Sequence, residues 1–238
     1  GLVGSEMCIR DSLCGCLGEI PGARELADGD HRFLLIQGSS ASLDLEPQSV
    51  DYVVTDPPYF DSVQYGDLAA FFRVWLRRMV PEDADWEYDL ERAAVDQQAN
   101  GDGQYARVLG DILTECHRML KRESGRLIFT FHHWNPKGWA ALTVALKRAR
   151  FRLVSYYVVH AENPASVHIK NLRSLKHDAI LVLAPIEAGV GGEWRLPEQV
   201  DATDSRQFCA DCASALGWML SQELDEEQIE RTWGRLLA

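Results

Sequence analysis

Thr55-Asp56-Pro57-Pro58-Tyr59 concentrates more chemistry than any other stretch of this 238-residue chain. Two consecutive prolines stiffen the backbone, and neither has an N–H, so nearby carbonyls face outward as acceptors. Asp56 adds a carboxylate acceptor and Tyr59 a flat aromatic face. Together they make a platform that stacks a planar base and accepts hydrogen bonds from an exocyclic amine. Methylating an amino group on a base flipped out of its stack needs that platform. The string directly follows the apolar run VDYVV, and in an open α/β sheet ligands bind at the carboxyl ends of strands. Asp-Pro alone would be a strand-ending turn with a capping Asp and a core Tyr. The five-residue string in a strand-then-loop setting is far more specific.

Other residues are candidates by position. Asp61, Gln64 and Tyr65 follow the motif closely enough to border a base pocket. His132 and His133 come just after an apolar strand, on the same edge as Tyr59 if the strands are parallel; a polar strand end and an active-site lining are both open. Zinc binding by this pair is disfavoured, because adjacent side chains point in different directions. Glu162-Asn163 follows the next strand and has the same two readings. Lys170, Arg173 and Lys176, with His177, lie in a polar connection that is either a solvated loop or a contact to DNA phosphates. Cys209-Ala-Asp-Cys212 has zinc-compatible spacing, but one pair is a weak signal, and reduced thiols near a helix start are the simpler expectation.

The surrounding pattern says what would hold these groups. HRFLLIQ (31–37) and SVDYVVT (49–55) read as strands. Residues 67–80 read as a helix with Leu68, Phe71, Phe72, Trp75, Leu76 and Met79 on one face. Residues 82–103 are an acidic, irregular insertion. Helical spacing returns over 104–122, RLIFTF (126–131) is a strand, and Pro136 opens a helix to about Arg150. FRLVSYYVV (151–159) and DAILVLA (178–184) complete the strands, followed after Pro185 by a linker and an acidic helical tail. Alternating strands and helices predict an α/β fold with a largely parallel sheet, its last pair antiparallel at an edge.

Charge bears on the partner. With 24 Lys plus Arg against 36 Asp plus Glu, the formal charge is −12, which taken whole opposes nucleic-acid binding. The distribution is uneven: residues 117–186 hold 12 basic and 3 acidic side chains, between acidic flanks. That stretch is either a set of solvated helix faces or a surface for a phosphate-bearing substrate. No apolar run approaches a membrane span. Six scattered cysteines make no disulfide scaffold, so a reducing, cytoplasmic setting is expected. Residues 1–12, GLVGSEMCIRDS, resemble a translated adapter read-through, and a leader over 1–20 is set aside.

At DPPY the chain resembles the amino-methyltransferases that act on adenine N6 or cytosine N4 with S-adenosylmethionine. The continuation FDSVQYGDLAAFFRVWLRR (60–78) is similar to the adenine-specific DNA methylases of the DUF1156-containing group, some of which carry a zinc ribbon. FTFHHWNPKGWAAL (129–142) and YYVVHAENPAS (156–166) fit the same group. The resemblance covers about residues 31–185. It implies a class I (Rossmann-like) methyltransferase sheet over 21–186, with residues 187–238 as a helical C-terminal extension. It also implies that Asp56 and the Pro57 carbonyl hold the target amine, that Pro58 completes the motif, and that Tyr59 stacks on the base.

The family's glycine-rich cofactor loop, of FxGxG type, is not found; Gly189-Val190-Gly191-Gly192 reads as a linker. HRFLLIQ with Gly38 fits the family's third strand, whose usual Asp is replaced here by Ser39. Gly38, Ser39 and Asp56 are therefore the expected cofactor contacts. The first two strands would precede residue 20, so the sheet is expected to be incomplete and the chain an N-terminally truncated fragment that DNA and its missing N-terminal part would partner. The expected activity is methylation of an exocyclic amine of DNA, adenine N6 first. Its rivals are the same chemistry on RNA or protein, and a non-catalytic binding fragment.

Overall fold

Short apolar strands rich in β-branched residues pair here, while 3.6-residue periodicity sets the helices that cover them. The computed structural model describes residues 23–28, 31–36, 38–60, 65–77, 79, 102–161 and 175–238. The acidic insertion expected over 82–103 lies outside them except for its last two residues, which begin a helix. In chain order the elements are β1 (Ala23–Asp28), β2 (His31–Ile36), β3 (Tyr52–Thr55), α1 (Tyr65–Leu76), α2 (Asp102–Met119), β4 (Arg126–Phe131), α3 (Pro136–Arg148), β5 (Phe151–His160), β6 (His177–Pro185), α4 (Ser205–Ser221) and α5 (Glu226–Leu236).

β3, β4, β6 and β5 form a four-stranded sheet in that order. Only β3 and β4 pair in parallel; β6 is antiparallel to both β4 and β5, so β5 runs in the same direction as β3 and β4. The sheet is therefore mixed: three strands run one way, and the last pair is antiparallel at an edge as expected, with only the β3–β4 ladder parallel. Strands that run the same way need a crossover, which α2 supplies before β4 and α3 before β5. The polar connection after β5 carries no helical signal, so the chain returns as a reversed strand between β4 and β5. Bridged pairs jump from Leu153 to Ser155, a bulge at Val154.

One face of this sheet builds the core. Val53, Leu127, Phe129, Phe131, Leu153, Leu181 and Leu183 are buried with residues of α2, α3, α4 and α5. The opposite face is open, with Tyr52, Val54 and Tyr157 each about 60% exposed. α3 begins at an Asn135 cap whose side chain accepts from the Lys137 N–H, followed by Pro136 in the first turn. α5 begins with a capping box between Asp225 and Gln228.

Three expectations change. HRFLLI does form a strand, but it pairs in an antiparallel hairpin with β1, separate from the four-stranded sheet. Asp28 lies opposite His31 in that hairpin. The acidic tail is no appendage: Phe208, Cys209, Cys212, Leu216 and Met219 of α4 and Ile229, Trp233 and Leu236 of α5 are buried. Trp233 stacks on Trp139 at 5.3 Å and its indole N–H donates to the buried Thr143 hydroxyl at 2.9 Å. α1, by contrast, turns Leu68, Phe71, Phe72, Trp75 and Leu76 to solvent, each about half exposed or more. Its periodicity identified the helix but not what lies against it.

A strap precedes β3. Glu115 accepts from the Leu43 N–H at 2.8 Å, and Arg118, bound to the same carboxylate, donates to the Leu43 and Leu45 carbonyls. An isolated parallel bridge between Val50 and Leu120 continues it into the sheet.

Candidate active site

β3 ends at Thr55, so Asp56 is the first residue past the strand, at its carboxyl end. The last bridged pair of β3 and β4 is Thr55 with Phe129, and one step further sets Asp56 beside Thr130. The Thr130 hydroxyl donates to Asp56 Oδ1 in a short hydrogen bond. The Tyr59 hydroxyl donates to Thr130 Oγ1 at 2.7 Å and reaches the same Asp56 oxygen at 3.1 Å. One carboxylate oxygen is thus held by two hydroxyls. Asp56 is exposed, and its Oδ2 accepts no hydrogen bond among the described residues.

Tyr59 is half-buried and makes T-shaped ring contacts with Phe131 at 5.3 Å and with His132 at 5.0 Å. Burial holds its phenol well above the ordinary range. The Thr130 hydrogen bond pulls the other way, and the charges of Asp178 and Asp56 push it further up. The hydroxyl therefore stays protonated and remains a donor.

The two prolines differ in environment. Pro57 is buried, and Pro58 gives its carbonyl to the Tyr105 hydroxyl at 2.8 Å. Tyr105 is itself buried, which raises its phenol above the ordinary range, so α2 clamps the loop with a permanent donor. Phe60 follows in the left-handed region at φ 38°, a conformation that costs a non-glycine residue about 1–2 kcal/mol. Its buried ring, edge-on to Tyr105 at 5.4 Å and to His133 at 5.5 Å, holds it there.

His132 and His133 separate in role. His132 Nδ1 pairs with Asp178 Oδ1 across the β4–β6 register, beside Tyr59. His133 is buried beneath the start of α3: its Nδ1 accepts from the Asn135 N–H at 3.0 Å, and its carbonyl accepts from Trp139 Nε1 at 2.8 Å. A Cβ on Gly138 would come within 2.8 Å of the His133 ring, so this packing requires glycine.

Lys176 is exposed at the start of β6, where its N–H donates to Ser205 Oγ. Asp61, Gln64, Glu162, Lys170 and Arg173 lie outside the described residues, as does Asn163. Tyr65 begins α1, and its side chain lies outside the description too. Thr130, Asp178 and Tyr105 belong to the site and were not singled out in the sequence. The alternation of RLIFTF already put Thr130 on the face opposite Phe129 and Phe131. Asp178 and Tyr105 carried no local signal.

Much of the basic stretch is engaged within the chain. Arg118 binds Glu115, Lys121 binds Asp51, and Arg148 binds Asp111. Arg122, Arg150 and His117 converge on Glu187. Cys209 and Cys212 are free, buried thiols in α4; burial pushes Cys209 up to about 12, and Cys212 up as well. Among the described residues, no group of His, Cys, Asp and Glu is arranged to hold a metal. Nor is any helix among them long and apolar enough to cross a membrane.

No family model matches this chain, and no curated protein matches it. What the site can do is therefore argued from its own geometry.

The residues fit a target amine better than a cofactor. Gly38 and Ser39 follow β2, in the hairpin rather than the sheet that carries Asp56. Gly38 is exposed, with nothing within 4 Å of where a Cβ would be, so it is no close-approach glycine. The Ser39 hydroxyl accepts from the Ala41 N–H in its own turn. These groups form no cradle for S-adenosylmethionine, and no step below is derived through it.

Proposed function

We propose that the chain is the amine-holding part of a DPPY-type amino-methyltransferase, with a class I methyltransferase sheet. The target we assign is an exocyclic amino group of DNA, adenine N6 first. The observation that carries the reading is Asp56 at the carboxyl end of β3, one oxygen fixed by Thr130 and Tyr59 and the other without a partner among the described residues. Such a carboxylate accepts an N–H from an amine in one orientation and leaves the nitrogen lone pair directed away.

The Pro57 carbonyl, which accepts no hydrogen bond among the described residues, is the second acceptor. Tyr59 gives a planar base an aromatic surface. Its hydroxyl is tied to Thr130, so the ring is fixed before the base arrives and little ordering remains to oppose binding. S-adenosylmethionine, when bound, would supply an electrophilic methyl group.

DNA is favoured over RNA by the family resemblance, and over protein also by a base-sized platform. Lys170, Arg173 and Lys176 are the proposed phosphate contacts, because the basic residues of α2 and α3 are largely paired within the chain.

The test is transfer of labelled methyl from S-adenosylmethionine to adenine-containing DNA. Asp56→Ala is expected to abolish it. Labelling of RNA or protein alone would sink the DNA assignment.

A further inference from the structure

β5 is an edge strand of ten residues, paired with β6 on one side only. The ladder says which of its backbone groups face outward. The Ala161 N–H donates to the Lys176 carbonyl, one step past the bridged pair of His160 and His177, so every second residue back from Ala161 bonds to β6. Ser155, Tyr157 and Val159 therefore turn their N–H and C=O groups inward, and Tyr156, Val158 and His160 turn theirs outward. Before the bulge the outward carbonyl is that of Leu153, and it is occupied: the Gly192 N–H and the Trp194 indole both donate to it. The outward groups of Tyr156, Val158 and His160 have no partner among the described residues.

We propose that this half of β5 is a docking edge for an extended peptide, which adds antiparallel to the four-stranded sheet and carries acidic side chains on its α4 side. An edge left unpaired is a template for another strand, and main-chain hydrogen bonds supply much of the affinity of such additions.

Room for the added strand is present. A cavity of about 410 Å³ lies along the free edge, between Tyr156, Tyr157 and Val158 of β5 and Arg206, Gln207 and Ala210 of α4. The edge offers donors and acceptors in alternation at strand spacing, which a peptide backbone matches. A phosphate backbone brings acceptors alone, and the three outward carbonyls oppose it.

The two sides of the guest strand meet different surfaces. On the open face Tyr157 and Val159 are 61% and 36% exposed, so guest side chains there are apolar. On the α4 side the exposed Arg206 guanidinium has no carboxylate partner among the described residues. Burial holds His177 below its ordinary range, and the charges of His160, Arg206 and Lys176 lower it further against Asp204, so these cations gather at one end of the edge. The carboxylates close by are engaged: Asp204 Oδ1 caps the Arg206 and Gln207 N–H groups, and Asp211 accepts from the Gln207 amide. Acidic guest side chains complement what is left.

A second copy of β5 fits less well. Two-fold antiparallel pairing about Val158 would put the Arg206 guanidiniums of both copies on the same face of the joined edge, like charge against like charge.

The experiment is amide hydrogen exchange read by NMR on the whole chain at physiological ionic strength, with a synthetic octapeptide of alternating Val and Glu as the probe. In the free protein the Tyr156, Val158 and His160 amides should exchange fast, and those of Tyr157 and Val159 slowly. Peptide at ten times its dissociation constant should slow the first set about ten-fold. Val158→Pro removes one outward N–H and spares the β6 ladder, so the fold should persist while most of the affinity is lost. Arg206→Glu should weaken binding about 3–10-fold. Antiparallel residues directly opposite share a face, so the guest Glu residues bond to the edge; N-methylating them should abolish binding, and N-methylating the Val residues should not. That comparison needs no variant to fold.

Unchanged exchange at millimolar peptide overturns the proposal, as does an N-methyl-Glu peptide that binds like its parent. Amides of Tyr156, Val158 and His160 already protected in the free monomer overturn it too. A sedimenting dimer that Val158→Pro dissolves would give the edge to a second copy, and protection by duplex DNA in place of the peptide would give it to nucleic acid; either result ends the peptide assignment.

Discussion

Asp56 and Thr130 meet one step beyond the last bridged pair of β3 and β4, where the threonine hydroxyl donates to the aspartate carboxylate. A parallel strand pair thus aims its carboxylate with a neighbour 74 positions along the chain.

Thr130→Val keeps the shape of the side chain and removes the hydroxyl. Hydrogen bonds to charged groups are worth about 1.5–3 kcal/mol, so 2′-deoxyadenosine should bind about 10–100-fold more weakly. Thr130→Ser should restore it. Calorimetric or NMR titration decides, and a valine variant that binds as well as the parent would remove Thr130 from the site.

Trp233 is the anchor of α5, fully buried, stacked on Trp139 and bonded to Thr143. Trp233→Ala should lower stability by about 3–5 kcal/mol in urea denaturation. Trp233→Phe should cost less, roughly 1–3 kcal/mol, because it leaves the buried Thr143 without its indole donor. A change below about 1 kcal/mol for the alanine variant would mean the acidic tail is an appendage after all.

Glu115 governs the strap before β3. Its carboxyl is held below the ordinary range, chiefly by the Arg118 hydrogen bond, against the opposing effect of burial and with help from the Leu43 N–H. A depressed carboxyl contributes stability that is present above its unfolded-state value and is lost as pH falls through its folded-state value. Stability should therefore decline on acidification below about pH 4.5, and Glu115→Gln should flatten that decline while lowering neutral-pH stability by about 1–3 kcal/mol. Parallel denaturation series at several pH values test both.

The apolar side of α1 makes the opposite prediction. With Phe71 at 60% and Trp75 at 65% exposure, replacing both by Lys should change unfolding free energy by less than about 0.5 kcal/mol. A loss of about 2 kcal/mol or more would show that this face is covered in solution.

These cases also mark where sequence reading succeeds. RLIFTF, the Pro136 helix start and the 104–122 periodicity are local signals, and β4, α3 and α2 form within a few residues of their expected places. DPPY at a strand end was legible for the same reason. Pairing was legible in part: the last two strands are antiparallel at an edge as expected, but nothing in DAILVLA says that it inserts between β4 and β5, and only that insertion puts Asp178 opposite His132. The β1–β2 hairpin had a local signal, Gly29-Asp30 between two short runs, and it was missed. Exposure of α1 had none, because an amphipathic pattern names a face and not its neighbour.

The step that sets Asp56 beside Thr130 has one more consequence. Side chains alternate along β4, so sliding β3 by a single residue would place Phe129 or Phe131 next to Asp56 instead of a hydroxyl. The carboxylate would then face a hydrocarbon wall and Tyr59 would lose its tether. Misalignment of this one four-pair ladder is thus indistinguishable from a chemical knockout at Asp56. A variant in this strand pair that melts normally but holds no amine would be the signature of such a slip.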